Sequence, residues 1–247
     1  ICLARPPANA LSPQLMIELD AALDAAVTRG GAVVISGGAN IFSAGLDVPA
    51  LLELDRPALE AAWATFLSVV RKIATSPVPI AFAITGHATA GGCVLPLYGD
   101  ARFMTRGRVG KDGGFQEFRI GVNEVQVGLP MPSVIIPALA RIVGARQAER
   151  MCVTAELLAA SEAHRIGLVD ELLDSPEATV ERALAWGRAV TSHPPTALAL
   201  TRAAVRADLH AAVETAAAID QKNFIDDWFS PEAQGALRAL VARLAKK

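Results

Sequence analysis

Three short stretches carry residue types at a spacing that could do chemistry. Two of them, Phe42-Ser43-Ala44-Gly45-Leu46-Asp47 and Ala90-Gly91-Gly92-Cys93, put small residues at the exits of apolar segments. Glycine lets the backbone approach a ligand closely. Amides at a helix start point outward unpaired, with the positive end of the helix dipole behind them. Two such N–H groups converging on one carbonyl oxygen would make an oxyanion hole, each donor worth ~3 kcal/mol in the transition state. Two ordinary tight turns fit the same residues. The third stretch, Ile120 to Pro130, sets Glu124 among glycines and valines. A carboxylate buried without a partner is costly, so its pKa rises and it suits a general acid or base. A surface glutamate at a turn is the alternative.

The elements that must position these residues alternate between strand-like and helix-like patterns. Ile1 to Ala4 reads as a strand fragment before a turn-rich Arg5-Pro6-Pro7-Ala8-Asn9. Ser12-Pro13 opens a helix, with serine as N-cap and proline in the first turn, that ends near Gly30. Ala32 to Ser36 and Val78 to Thr85 are continuous apolar runs of the kind buried on both faces. A long helix spans about Pro57 to Thr75 and Ala101 to Thr105 resembles a further strand. Gly37 to Asp47 reads as a loop, and the glycine-rich Arg106 to Gly114 as a mobile one. Helix is expected over Pro132 to Met151 and Ser161 to Gly167, with strand over Leu168 to Leu173. From Glu177 onward the pattern is helical, broken at His193-Pro194-Pro195 and Ser230-Pro231. Strand–helix alternation implies an α/β fold.

Composition narrows the function classes. Of 247 residues 52% are apolar, enough for a substantial core, and 23 basic against 25 acidic residues give no reason to expect nucleic acid or an anionic membrane. No apolar run approaches the ~20 residues that span a bilayer. Cys2, Cys93 and Cys152 are odd in number and widely spaced, which suits buried thiols in a reducing compartment, the cytoplasm, better than disulfides or a metal site. The chain opens on Ile1-Cys2-Leu3 without an initiator methionine, so an N-terminal piece is expected to be missing and a removed targeting segment stays open. Ala245-Lys246-Lys247 is not a peroxisomal tripeptide.

Taken in order, five motifs resemble the enoyl-CoA hydratase/isomerase (crotonase) family. They are Arg5-Pro6-Pro7-Ala8-Asn9-Ala10-Leu11, the Phe42–Asp47 stretch, Gly86 to Cys93, Gly121 to Gly128, and Ala155 to Val169 with its Glu162, Ala163, Gly167, Leu168 and Val169. The resemblance implies a spiral of ββα units over residues 1–175 and a helical oligomerisation region over residues 176–247, building trimers or hexamers. It also implies an acyl-coenzyme A thioester as substrate, with no separate cofactor and no metal. The N–H groups of Ala44 and Gly91 would hold the thioester oxygen. Coenzyme A would lie along Arg5, Ala8, Ser43, Ala44, Leu46, Asp47 and Gly91.

The resemblance also bears on the reaction. Hydratases of the family place one glutamate after the Gly-Gly-Cys, where this chain has Val94, and a second at the position of Glu124. Dienoyl-CoA isomerases put an aspartate eight residues beyond that glutamate, where this chain has Pro132. A single glutamate in an Asn-Glu context resembles the Δ3,Δ2-enoyl-CoA isomerases, so a one-base double-bond shift is expected, with hydration or another crotonase reaction as the alternative. Asp112 and Glu117 are extra carboxylates in or beside the long loop, and Glu117 stays open as a second acid. His87 is expected to be a hydrogen-bonded loop histidine, and Arg238, Arg243, Lys246 and Lys247 a solvated helix face. Lys222 and Phe224 are placed where they could meet coenzyme A of a neighbouring subunit.

Overall fold

The computed structural model describes residues 1–245; Lys246 and Lys247, and the part of the solvated helix face assigned to them, lie outside the described residues. Helix α1 (Pro13–Arg29) starts where expected, the Ser12 side chain accepting from the Leu15 N–H, and it packs on α3 (Arg56–Thr75). The apolar runs become β1 (Val33–Ser36), which is buried at alternate residues only, and β3 (Ile80–Ile84), joined by β5 (Ala101–Thr105) and β10 (Glu171–Leu173) in a parallel sheet of order β1-β3-β5-β10. Parallel strands covered on both faces carry apolar side chains throughout, and all five residues of β3 are buried.

A second sheet runs beside the first. It holds β2 (Ile41–Ser43), β4 (His87–Thr89), β8 (Arg119–Gly121) and β9 (Leu158–Ala159) in order β2-β4-β8-β9. The chain repeatedly gives one strand to the first sheet, one to the second, and then a helix. After β1 and β2 come the short α2 (Val48–Leu52) and α3; after β3 and β4 comes α4 (Gly91–Leu97). This is the α/β spiral of ββα units that the resemblance implies. The strands of the second sheet were not expected, because Gly37–Asp47 and Gly86–Ala90 read as loops. At two or three residues each, they are too short to show an alternating pattern.

Residues Arg106 to Gly114 are not a free loop. They form most of an antiparallel hairpin, β6 (Gly107–Val109) with β7 (Phe115–Glu117), in which Val109 faces Phe115. The helix expected from Pro132 is two, α5 (Ile135–Val143) and α6 (Ala145–Thr154), because Gly144 takes φ +80 between them. After the short α7 (Ala160–Arg165), α8 (Pro176–Val190) lies across β1, β3 and β5 and so covers the first sheet. Next come α9 (Pro195–Val205), α10 (Ala207–Trp228) and α11 (Pro231–Leu244). No helix among the described residues is long and apolar enough to cross a membrane. Cys93 and Cys152 are buried as expected, whereas Cys2 is exposed.

Candidate active site

The Arg5–Leu11 segment straps down the first of the two small-residue turns. The Asn9 side chain donates to the Phe42 carbonyl at 3.2 Å, and its Oδ1 accepts from the Arg5 N–H at 2.8 Å. Ser43 is buried; its hydroxyl donates to the Asn9 carbonyl at 2.8 Å and accepts from the Gly45 N–H at 3.2 Å. Ser43 therefore holds the turn together from inside and does not line the cavity, contrary to its expected contact with coenzyme A. Ala44 also departs from expectation. Its N–H donates to the Ala8 carbonyl at 3.0 Å, so it is occupied within the chain.

The next free amide is two residues on. Gly45 takes φ +85 while its carbonyl accepts from the Leu11 N–H, and the Asp47 N–H donates to Leu11. That turn leaves the Leu46 N–H without a protein acceptor among the described residues. A Cβ built on Gly91 would lie 3.5 Å from the Leu46 nitrogen, and one on Gly45 would lie 2.9 Å from the Gly91 nitrogen. Gly91 opens α4, and its own N–H has no acceptor either. The sharp entry is made by Ala90 at φ 49, anchored by its N–H on the Gly121 carbonyl at 3.0 Å. Two unpaired amides, Leu46 and Gly91, thus lie in touching turns, with a helix start behind one of them. An anionic oxygen is the ligand such donors suit.

Glu124 opens the 3-10 turn Glu124–Val127 that follows β8, closed by Gly128 at φ 78. Its side chain is buried and its Oε2 has no hydrogen-bond partner among the described residues. Burial pushes the carboxyl up from its ordinary 4.5 to about 7, against the backbone hydrogen bonds that lower it. The Asn123 Oδ1 beside it is also buried without a partner among the described residues. Glu124, Asn123, Leu46, Gly91 and Val94 all line one cavity of about 600 Å³. Its mouth carries Arg5, Pro6, Pro7, Ala8 and Ala44, with Asp47 bound to Arg5 at 2.6 Å. The remaining wall includes Trp63, Phe66, Phe224 and Trp228.

The other nominated residues stand elsewhere. Glu117 ends β7, where its carboxylate accepts from the Ser161 hydroxyl at 2.8 Å, and it does not line the cavity. Asp112 sits exposed at the hairpin tip and accepts from the Gly114 N–H. His87 lies on β4; its Nδ1 accepts from the Arg119 N–H at 2.9 Å, as a hydrogen-bonded histidine rather than a pocket residue. Phe224 faces this chain's own cavity and stacks on Trp63, so it is not turned outward, while Lys222 is exposed. Sequence reasoning passed over Leu46 as a donor, Asn123 and the aromatic wall. The signal for Leu46 was Gly45, since a glycine at positive φ reverses the direction of the amide after it.

The family model for enoyl-CoA hydratase/isomerase matches residues 1–242. The chain belongs to that family. A probable enoyl-CoA hydratase, echA17, of Mycolicibacterium paratuberculosis is 32% identical over 92% of this chain and 84% of its own length. A putative enoyl-CoA hydratase of Thermus thermophilus is 33% identical over 78% of this chain and 74% of its own. The crystal structure of human mitochondrial Δ3,Δ2-enoyl-CoA isomerase superimposes with a TM-score of 0.89 at 26% identity, covering 98% of this chain and 92% of that one. Within this enoyl-CoA hydratase/isomerase fold, one cavity is lined by a carboxylate and two amides that are unpaired among the described residues.

Proposed function

We propose that the chain is an enoyl-CoA isomerase that moves the double bond of a 3-enoyl-CoA into conjugation as the trans-2-enoyl-CoA. The observation that carries this reading is one unpaired carboxylate in the cavity. Asp47, the other carboxylate lining it, is tied to Arg5, and Val94 stands where a second acid would be needed to orient water. The likeness to the human isomerase supports the same choice. The names of the curated hydratase relatives favour water addition instead.

In the proposed mechanism the thioester oxygen lies against the Leu46 and Gly91 N–H groups, and coenzyme A leaves past Arg5, Ala8 and Asp47. Ionised Glu124 takes a proton from C2. The negative charge passes to the thioester oxygen as a dienolate, which the two fixed amides stabilise at no reorganisation cost. The Glu124 carboxyl, now protonated, returns the proton to C4, so the reaction is neutral overall and consumes nothing else. A carboxyl held near neutral pKa suits both halves of that exchange. Apolar neighbours, Val94 and Leu129 among them, keep water from the dienolate. The substrate thioester is the only coenzyme the mechanism calls on, and a homotrimer or hexamer is the assembly proposed with it.

The test is turnover of a 3-enoyl-CoA, followed by growth of the conjugated thioester absorbance. Conversion is expected, and Glu124→Gln should lower kcat by about a thousandfold, the typical weight of a positioned acid–base group, while thioester binding persists. Loss of absorbance when a 2-enoyl-CoA is supplied would instead make the protein a hydratase.

A further inference from the structure

We infer that the aromatic wall of the cavity is a ruler for acyl length, set short of a palmitoyl chain. The inference builds on the proposed acyl-CoA site. The cavity lining includes both exposed and buried residues. Arg5 at the mouth is half-exposed, while Trp63, Phe66, Phe224 and Trp228 are buried. A charged coenzyme stays by the exposed residues because burying its phosphates unpaired is costly. The hydrocarbon therefore runs toward the rings.

That wall is fixed in place. Trp63 stacks on Phe224 with ring centroids 3.7 Å apart and on Phe66 at 5.0 Å. Its indole N–H donates to the Asp220 carbonyl at 3.1 Å. The buried Asp220 carboxylate in turn accepts from the Ser133 and Val134 N–H groups at 2.8 and 2.7 Å. The rings are thus tied through α10 to the segment before α5, and packed side chains so enclosed move only with their neighbours. Leu240 and Leu244 of α11 border the same cavity and are half-buried and exposed. A methylene fills about the volume of a liquid water, roughly 30 Å³, so a cavity of about 600 Å³ holds on the order of twenty such groups. The thioester group and the end of the coenzyme's arm draw on the same space, so fewer than about twenty remain for the acyl chain.

Calorimetric titration with saturated acyl-CoA thioesters, from butyryl to palmitoyl, tests this on the full chain. Saturated thioesters do not react, so binding reads the wall independently of turnover. Affinity should rise about fourfold per added methylene and then turn over, decanoyl-CoA binding more tightly than palmitoyl-CoA. Phe66→Ala and Phe224→Leu, checked for folding by circular dichroism, should move the maximum to longer chains and raise relative palmitoyl affinity roughly tenfold. Affinity that climbs steadily to palmitoyl in the unsubstituted protein overturns the ruler, as does a maximum that both folded variants leave in place. Should either variant fail to fold, the unsubstituted series decides. A length maximum without isomerisation overturns the isomerase reading alone; no binding of any thioester overturns both.

Discussion

Glu124 is held in a state that suits catalysis and costs stability. Its carboxyl titrates near 7 in the folded chain and near 4.5 when exposed. Between those values the folded protein keeps a proton that the unfolded chain has lost, so stability falls as pH rises through that window and levels off above it. Glu124→Gln removes the penalty. At pH 8 it should stabilise the fold by roughly 3 kcal/mol, and near pH 4 by almost nothing. Thermal melts of both proteins at the two pH values check this, and an equal shift at both would contradict it. The proposed isomerase activity should run the other way, rising with pH through about 7 as Glu124 ionises. The residue type and its apolar neighbours were legible in the sequence. That Oε2 has no partner among the described residues was not, because it depends on what seven separate segments bring to the cavity.

The two turns work as one element because their backbones touch. Gly92 is the tightest point: a Cβ there would lie 2.2 Å from the Ser43 carbonyl oxygen. Neither partner is the end of a flexible side chain, so Gly92→Ala must push α4 away from β2 and part the Leu46 and Gly91 amides. A loss of about a hundredfold in kcat, the scale of one misplaced oxyanion donor, is expected, together with a lowered melting temperature. Unchanged kcat would show that the amides need no such alignment. Glycine-rich spacing pointed to these turns from sequence alone. Which amide is free did not follow, because the answer depends on a hydrogen bond from Ala44 to Ala8 across 36 residues and on the positive φ of Gly45.

At the scale of the molecule, α9 and α10 are locked to the spiral by a buried ion cluster. Arg202 and Arg206 both reach Asp100, at 2.9 and 3.1 Å, and spend their other N–H groups on carbonyls of Ile73, Ala74, Ser76 and Tyr98. Burial pulls Arg206 down to about 10, with Asp100 opposing the shift. Asp100→Ala leaves two guanidinium groups buried without a counter-ion, a loss of about 3–5 kcal/mol. Urea denaturation should show that drop, and a change under about 1 kcal/mol would mean the carbonyls alone satisfy the pair. The lock matters for function because α10 supplies Phe224 and Trp228 to the cavity.

The sequence by itself determined the α/β class, the strands β1, β3 and β5 of the first sheet, the helix start at Ser12-Pro13, the helix break at Ser230-Pro231, and the nomination of Glu124. These follow from local signals: continuous apolar runs, capping side chains and a carboxylate among apolar residues. Only the tertiary structure decided that Leu46 rather than Ala44 carries the free amide, that Glu117 faces Ser161, that Arg106–Gly114 pairs as a hairpin, and that Phe224 closes the cavity of its own chain. The reason is common to all four. Each turns on which partner a backbone or side-chain group meets across the fold, and sequence neighbours do not determine that partner.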